Sequence, residues 1–240
     1  MPVMPRRLHS EKHHRDIQGG TARAAVFGVS DGLVSNVSLI LGVAGASPGP
    51  GVVRLAGLAG LIAGAASMAA GEYVSMKAQQ ELLERELAME RSELHRNPDV
   101  EMEELVEIYR DRGVPAEQAT ELAAAMMRDP DLALETHARE ELGIDPNELG
   151  SPIGAAVSSF FAFAVGAIAP LAPWFFGSGN AATIASVLIG VTAAGVVGAL
   201  IAYFAARSYG RAILRQILIA AFAAGVTYLI GSAVGVGTSV

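Results

Sequence analysis

Asp31 is the only charged residue between Arg23 and Arg54, and its surroundings in "VFGVSDGLVSN" (26–36) are apolar, small or Gly. A carboxylate at the centre of a lipid-embedded helix costs about 2.5–3.5 kcal/mol on insertion scales, so acids that persist there mark ion or proton paths. The plainer alternative is a buried acid paired with Ser30 or Ser35. Met68, Glu72 and Met76 recur at i, i+4 and i+8 and share one helix face. A carboxylate beside a thioether suits a partly dehydrated divalent ion of intermediate softness. Ordinary packing is the alternative for Met68, and an interfacial position is the alternative for Glu72.

A second constellation sits in an acidic stretch. Glu90 and Glu93 are spaced i, i+3, as are Glu101 and Glu104, and His137 precedes Glu141 by four. Like charges on one face are unfavourable unless a cation bridges them. Carboxylates with one imidazole suit Fe(II), Mn(II) or Zn(II). The alternative is a solvated face with local pairs such as Glu81–Arg85 and Glu93–Arg96. With 20 acids in residues 77–150, some such pairs arise by chance.

The elements that must position these groups follow from composition. The chain has 240 residues, 52% hydrophobic and 17% charged, and no Cys. That excludes a disulfide framework, a thiolate metal site and a Cys nucleophile. Residues 77–150 hold 20 acidic and 8 basic side chains, against 4 and 9 elsewhere, so one chain meets two environments. Uncharged runs cover 55–71, 149–206 and 216–240. A span needs about 20 apolar residues. Five spans are predicted, at 24–46, 53–76, 153–173, 181–206 and 211–236. "SPGPG" (47–51) turns the chain, and "PLAPWFFGSGN" (170–180) breaks the longest run. The first span is too long for a cleavable signal and is followed by others. A soluble fold would need several helices apolar on every face.

Basic residues in short loops set orientation. Arg6, Arg7, Lys12, Arg15 and Arg23 precede the first span, and Arg207, Arg211 and Arg215 join the last two. Arg54 stands alone on the opposite side. The N-terminus and residues 77–150 are therefore expected in the cytoplasm and the C-terminus outside. Asp31 and Met68 then both lie about two turns from the cytoplasmic edge. Gly28 and Gly32, with Gly57, Gly60, Gly64 and Gly71, let helices approach closely. "RRLHSEKHHRD" (6–16) reads as a basic tail that fixes topology rather than a metal lure.

The acidic segment is helical by pattern. "MKAQQELLERELAMERSEL" (76–94) continues the second span without a stop, and Asn97-Pro98 ends it. Further helices are expected over 100–113, closed by Gly113, over 115–128, and over 129–143. In the last, Asp129 suits the N-cap and Pro130 the first helical position. The fold class is therefore all-α: a polytopic membrane protein with five transmembrane helices and a cytoplasmic helical metal-binding domain inserted between helices two and three. The divisions are a basic tail (1–23), helices one and two (24–76), the insert (77–150) and helices three to five (151–240).

From about Asp16 to the C-terminus the chain resembles the vacuolar iron transporter family of plants, fungi and bacteria. The marks are "GVSDGLVSN" (28–36), "AGAASMAAGEYVS" (63–75), the acidic helical insert, and "ELGI" (141–144) ahead of the third span. The resemblance implies a homodimer that exports Fe(II), and often Mn(II), from the cytosol against protons. It implies that Asp31 and Met68 line the path and that Glu90, Glu93, Glu101, Glu104 and Glu141 bind metal. Two departures stand out. Plant members carry a glutamate where this chain has Gly60, whereas Glu72 in "GEYVS" looks like the bacterial branch. A methionine pair of the plant domain falls at His137 and Ala138, which makes His137 the substitute ligand.

Three functions compete. The first is a proton-coupled exporter of Fe(II) and Mn(II), with Asp31, Met68 and Glu72 on the path and Glu90, Glu93, Glu101, Glu104, His137 and Glu141 as metal ligands. It is not an enzyme, holds no permanent cofactor, and partners metal ions, protons, lipids and a second copy, with no nucleic acid. The second is a membrane-anchored metal sensor or store, for which an acid in lipid has no purpose. The third is a ferritin-like di-iron oxidase, which needs paired Glu-x-x-His motifs. His95 and His137 follow Ser92 and Leu134 at that spacing, so the motif is missing. Composition and short loops suggest a bacterial plasma membrane, or a vacuolar membrane in a eukaryote.

Overall fold

The structure, a computed structural model, describes residues 20–46, 49–147 and 149–236. The basic tail before residue 20, Ser47-Pro48 of the first turn, and the last four residues lie outside the described residues. The chain divides into two units, residues 1–72 with 153–240, and residues 73–152.

All the regular structure among the described residues is helical: α1 (Gly20–Gly45), α2 (Pro50–Arg96), α3 (Pro98–Asp111), α4 (Ala116–Met126), α5 (Pro130–Glu140), α6 (Pro152–Leu171), α7 (Pro173–Phe176), α8 (Gly179–Ala205) and α9 (Tyr209–Val236). Five of them, α1, α2, α6, α8 and α9, are long and apolar enough to cross a membrane. Their outer faces expose Leu188, Leu218, Phe222 and Leu229, a surface suited to lipid rather than water.

The five apolar helices fall at the five predicted spans, with ends shifted by a few residues. As expected, α2 passes through Lys77 unbroken for 47 residues. Lys77 pairs there with Glu81 at 3.8 Å, so Glu81 finds its partner one turn earlier than the expected Arg85. The expected third span ends at Leu171 rather than at 173, and a separate turn, α7, follows. Proline explains this: Pro170 and Pro173 have no N–H to continue the ladder.

In the first unit α1 occupies the centre. Gly32 lies against the backbone of Phe163 in α6, and Gly166 of α6 against the backbone of Val29, where any Cβ would collide. The end of α6 leaves carbonyls without helical donors, and apolar surroundings offer no water to replace them. Two carbonyls near that end accept from side chains of neighbouring helices. Asn36 Nδ2 donates to Ala167 O at 2.6 Å, and Ser186 Oγ to Pro170 O at 2.7 Å.

In the second unit, Leu105 and Tyr109 of α3 pack on Ala119 and Ala123 of α4, with Met102, Val106 and Met126 around them. α3 ends before Gly113, whose φ of +92° suits Gly alone. Asp129 caps α5 as expected, accepting from the N–H groups of Asp131 and Leu132. Pro130 occupies the first helical position.

Candidate functional site

The second unit gathers four side chains from three helices. Glu90 on α2, Glu101 on α3, and His137 with Glu141 at the end of α5 place one ligand atom each within 4.8 Å of one another. Two of the buried members, Glu101 and His137, continue apolar stripes. Glu101 precedes Leu105 and Tyr109 at four-residue steps, and His137 sits among Ala133, Leu134 and Ala138. The hydrophobic face that folds each of these two helices inward therefore carries its ligand inward too.

His137 is fully buried, and its Nδ1 lies 3.2 Å from Glu90 Oε1, 3.6 Å from Glu141 Oε2 and 3.7 Å from Glu101 Oε2. Nδ1 and Nε2 of His137 and Oε1 of Glu90 are buried without hydrogen-bond partners. Such atoms cost about 1–3 kcal/mol each when left unsatisfied. Among the described residues no Lys or Arg pairs with any of the four. Burial, then the charges of Glu141, Glu101, Glu93 and Glu104, push Glu90 up to about 7. Burial, then Glu104, Glu93 and Glu141, raise Glu101 as well. Donors about 2.0–2.2 Å from one ion span at most roughly 4.4 Å. The 4.8 Å spread of the set is a few tenths of an ångström wider, so a small inward movement of the carboxylates fits it to a cation of the carboxylate–imidazole class.

Of the six expected metal ligands the structure brings together four. Glu93 and Glu104 are exposed and lie outside the cluster, though near enough for their charges to act on Glu90 and Glu101. An i, i+3 pair shares a face, but here only one member of each pair follows the buried stripe. Sequence reading missed Arg112. It donates to the Glu140 carboxylate, and its Nη2 to Glu140 O at 3.2 Å, which fixes the last turn of α5 beside Glu141.

The three expected path residues lie in the first unit. Asp31 is exposed on α1, and Ser35 Oγ donates to its Oδ1 at 2.9 Å. Ser30, the other expected partner, is taken by Gln216 instead. Phe27, Asp31, Ser35 and Leu39 form an exposed stripe at four-residue spacing. Met68 is half-buried against Ala65, Phe163 and Ala167, and Glu72 buries one carboxylate oxygen.

A family model, the VIT family, matches residues 22–232. The chain belongs to the VIT family. Among the relatives of this VIT chain is the "Vacuolar iron transporter" of Acanthamoeba castellanii, 41% identical over 165 residues, which are 68% of this chain and 59% of that one. "Vacuolar iron transporter 1" of Eucalyptus grandis is 30% identical over 227 residues, 94% of this chain and 90% of that one. "Vacuolar iron transporter 1" of Tulipa gesneriana matches at 30% over 227 residues, 94% and 91% of the two chains. These VIT proteins are named as transporters, not as enzymes.

Proposed function

We propose that this VIT protein carries a divalent transition metal across a membrane, with Fe(II) and Mn(II) as its cargo, out of the cytosol and in exchange for protons. The observation that carries the reading is the four-ligand cluster of Glu90, Glu101, His137 and Glu141 in a chain with five membrane-length helices. Relatives named vacuolar iron transporters support iron as the cargo. The insert faces the cytoplasm, where its acids gather metal, and Glu93 and Glu104 attract the ion toward the cluster by charge. The exposed Arg207, Arg211 and Arg215 support that orientation. The membrane is the plasma membrane of a bacterium or the vacuolar membrane of a eukaryote.

Asp31 neutralises the ion within the membrane and takes a proton when the ion leaves. A bare carboxylate is costly there, so the site holds metal or proton and not both, which couples the two flows. Met68 favours a transition metal over Mg(II) or Ca(II), which a thioether binds poorly. The exposed Phe27–Leu39 stripe supports a path shared with a second copy in a closed dimer.

A second reading keeps the metal cluster without transport, as a membrane-anchored sensor or store. The Ser35–Asp31 hydrogen bond favours it, because it gives the acid a local structural partner. Proteoliposomes separate the two. Under the transport reading Asp31→Asn abolishes Fe(II) flux and the accompanying pH change together, and Met68→Leu lowers flux with some coupling left. Wild-type flux and proton counterflow in Asp31→Asn would make Asp31 a structural acid, and no Fe(II) flux in the unaltered protein would leave only the store.

A further inference from the structure

α1 separates its polar groups by direction. Asp31 and Ser35 lie on the exposed stripe, while Gly28, Gly32, Asn36 and Ile40, one residue round the helix, are buried. Among the described residues, hydrogen bonds tie other parts of α1 to its neighbours. Gln216 Nε2 on α9 donates to Ser30 Oγ at 2.7 Å. Asn36 Nδ2 donates to Ala167 O at 2.6 Å, and Thr227 Oγ1 on α9 donates to Ser38 O at 2.7 Å.

Gln216 stands out among these donors. It is 5% exposed and opens the uncharged run of α9, where a buried amide is costly without a partner. Its partner is the residue next to Asp31. Asn36 is confined from a third side, because a Cβ on Gly60 would come within 3.0 Å of its Oδ1. A helix turns about 100° per residue. Rotating α1 by one position would therefore break the Gln216 and Asn36 bonds and carry Asp31 off the exposed stripe.

We propose that Gln216 is a positioning residue for transport: its hydrogen bond to Ser30, backed by the Asn36–Ala167 bond, fixes the rotation of α1 and so presents Asp31 on its exposed face. The proposal rests on the reading that Asp31 lines the path. The bond also explains why a polar side chain is kept in an apolar helix far along the chain from Asp31.

The chain has no Cys, so one introduced thiol reports on rotation. Leu33 is fully buried, and Leu33→Cys in full-length protein in proteoliposomes is expected to resist a membrane-permeant maleimide. Gln216→Met keeps length and removes the donor. It should expose Leu33→Cys to labelling and lower Mn(II) flux about threefold or more, the factor that corresponds to a typical intramembrane hydrogen bond. Mn(II) binding at equilibrium should stay unchanged. Ser30→Ala, a milder change to the same bond, should act in the same direction, and the double variant should be no worse than Gln216→Met alone. Additive losses overturn the proposal, as does reduced flux with Leu33→Cys still protected. Unchanged flux and labelling in both single variants overturn it too. Increased labelling with unchanged flux would show that the direction of Asp31 does not matter, which removes the path reading along with the proposal.

Discussion

His137 Nδ1 stands 3.2 Å from Glu90 Oε1 in the interior of the insert, and neither atom is hydrogen-bonded. A bound cation satisfies both at once, and Glu101 and Glu141 complete the set. Glu90→Gln or His137→Ala should therefore weaken Mn(II) binding to the full-length protein by about tenfold or more. Glu93→Gln, which removes only a nearby exposed charge, should cost less than about threefold. Equilibrium titration compares them directly. Equal losses from Glu90→Gln and Glu93→Gln would mean a diffuse acidic surface and no defined site.

Acid should expel the metal. Ligands must be deprotonated to bind, and Glu90 titrates at about 7, so affinity should fall steadily from pH 8 to pH 6. The metal-free protein should behave in the opposite sense. Glu90 and Glu101 hold their protons more firmly folded than unfolded, so they add stability below about pH 4.5 that is lost as pH rises toward 7. Thermal melts without metal should thus show a higher Tm for the insert at pH 5 than at pH 8, and Glu90→Gln should flatten the difference. A flat profile in the unaltered protein would contradict this.

Membrane sidedness can be read with single thiols. Ser178→Cys, between α7 and α8, should react with an impermeant maleimide added outside intact cells. Ser92→Cys on α2 should react only after lysis. Reaction of both from outside would sink the cytoplasmic placement of the insert.

A path shared between two copies makes the exposed stripe of α1 a contact surface. Phe27→Cys leaves Asp31 and its Ser35 partner intact, and oxidation in native membranes should trap a disulfide-linked dimer through it. Persistent monomers under those conditions would argue for a path within one chain.

Much of this was legible in the sequence, for identifiable reasons. Lipid demands long apolar helices, so runs without charge gave away four of them, and the stretch from Arg23 to Arg54 with Asp31 as its only charge gave away the first. Asp129-Pro130 and Gly113 marked local ends because their roles depend on one or two backbone groups. The cluster was only partly legible. Spacing paired Glu90 with Glu93 and Glu101 with Glu104, but spacing cannot say which of two neighbours turns inward. A finer signal was present: Glu101, Leu105 and Tyr109 form one stripe, and an acid that takes a place in an apolar stripe is carried into the core with it. Gln216 and Asn36 were opaque, because their partners lie 186 and 131 residues away in the chain. The short helix α7 was hidden by its prolines, which read as a break when they also start a turn.

Gly32 and Gly166 bring the main chains of α1 and α6 together, and Gly231 lies against the backbone of Gly42 between α9 and α1. Packed helices slide past one another by small shear movements when side chains between them can readjust. At these crossings no side chain intervenes, and sliding would drive main-chain atoms into each other. α1, α6 and α9 therefore do not slide along one another, and while the Gln216–Ser30 bond holds the rotation of α1, Asp31 rides on that block as a fixed post. A gate that alternately exposes Asp31 to the two sides of a membrane must then work as a hinge, with some other element swinging against that block.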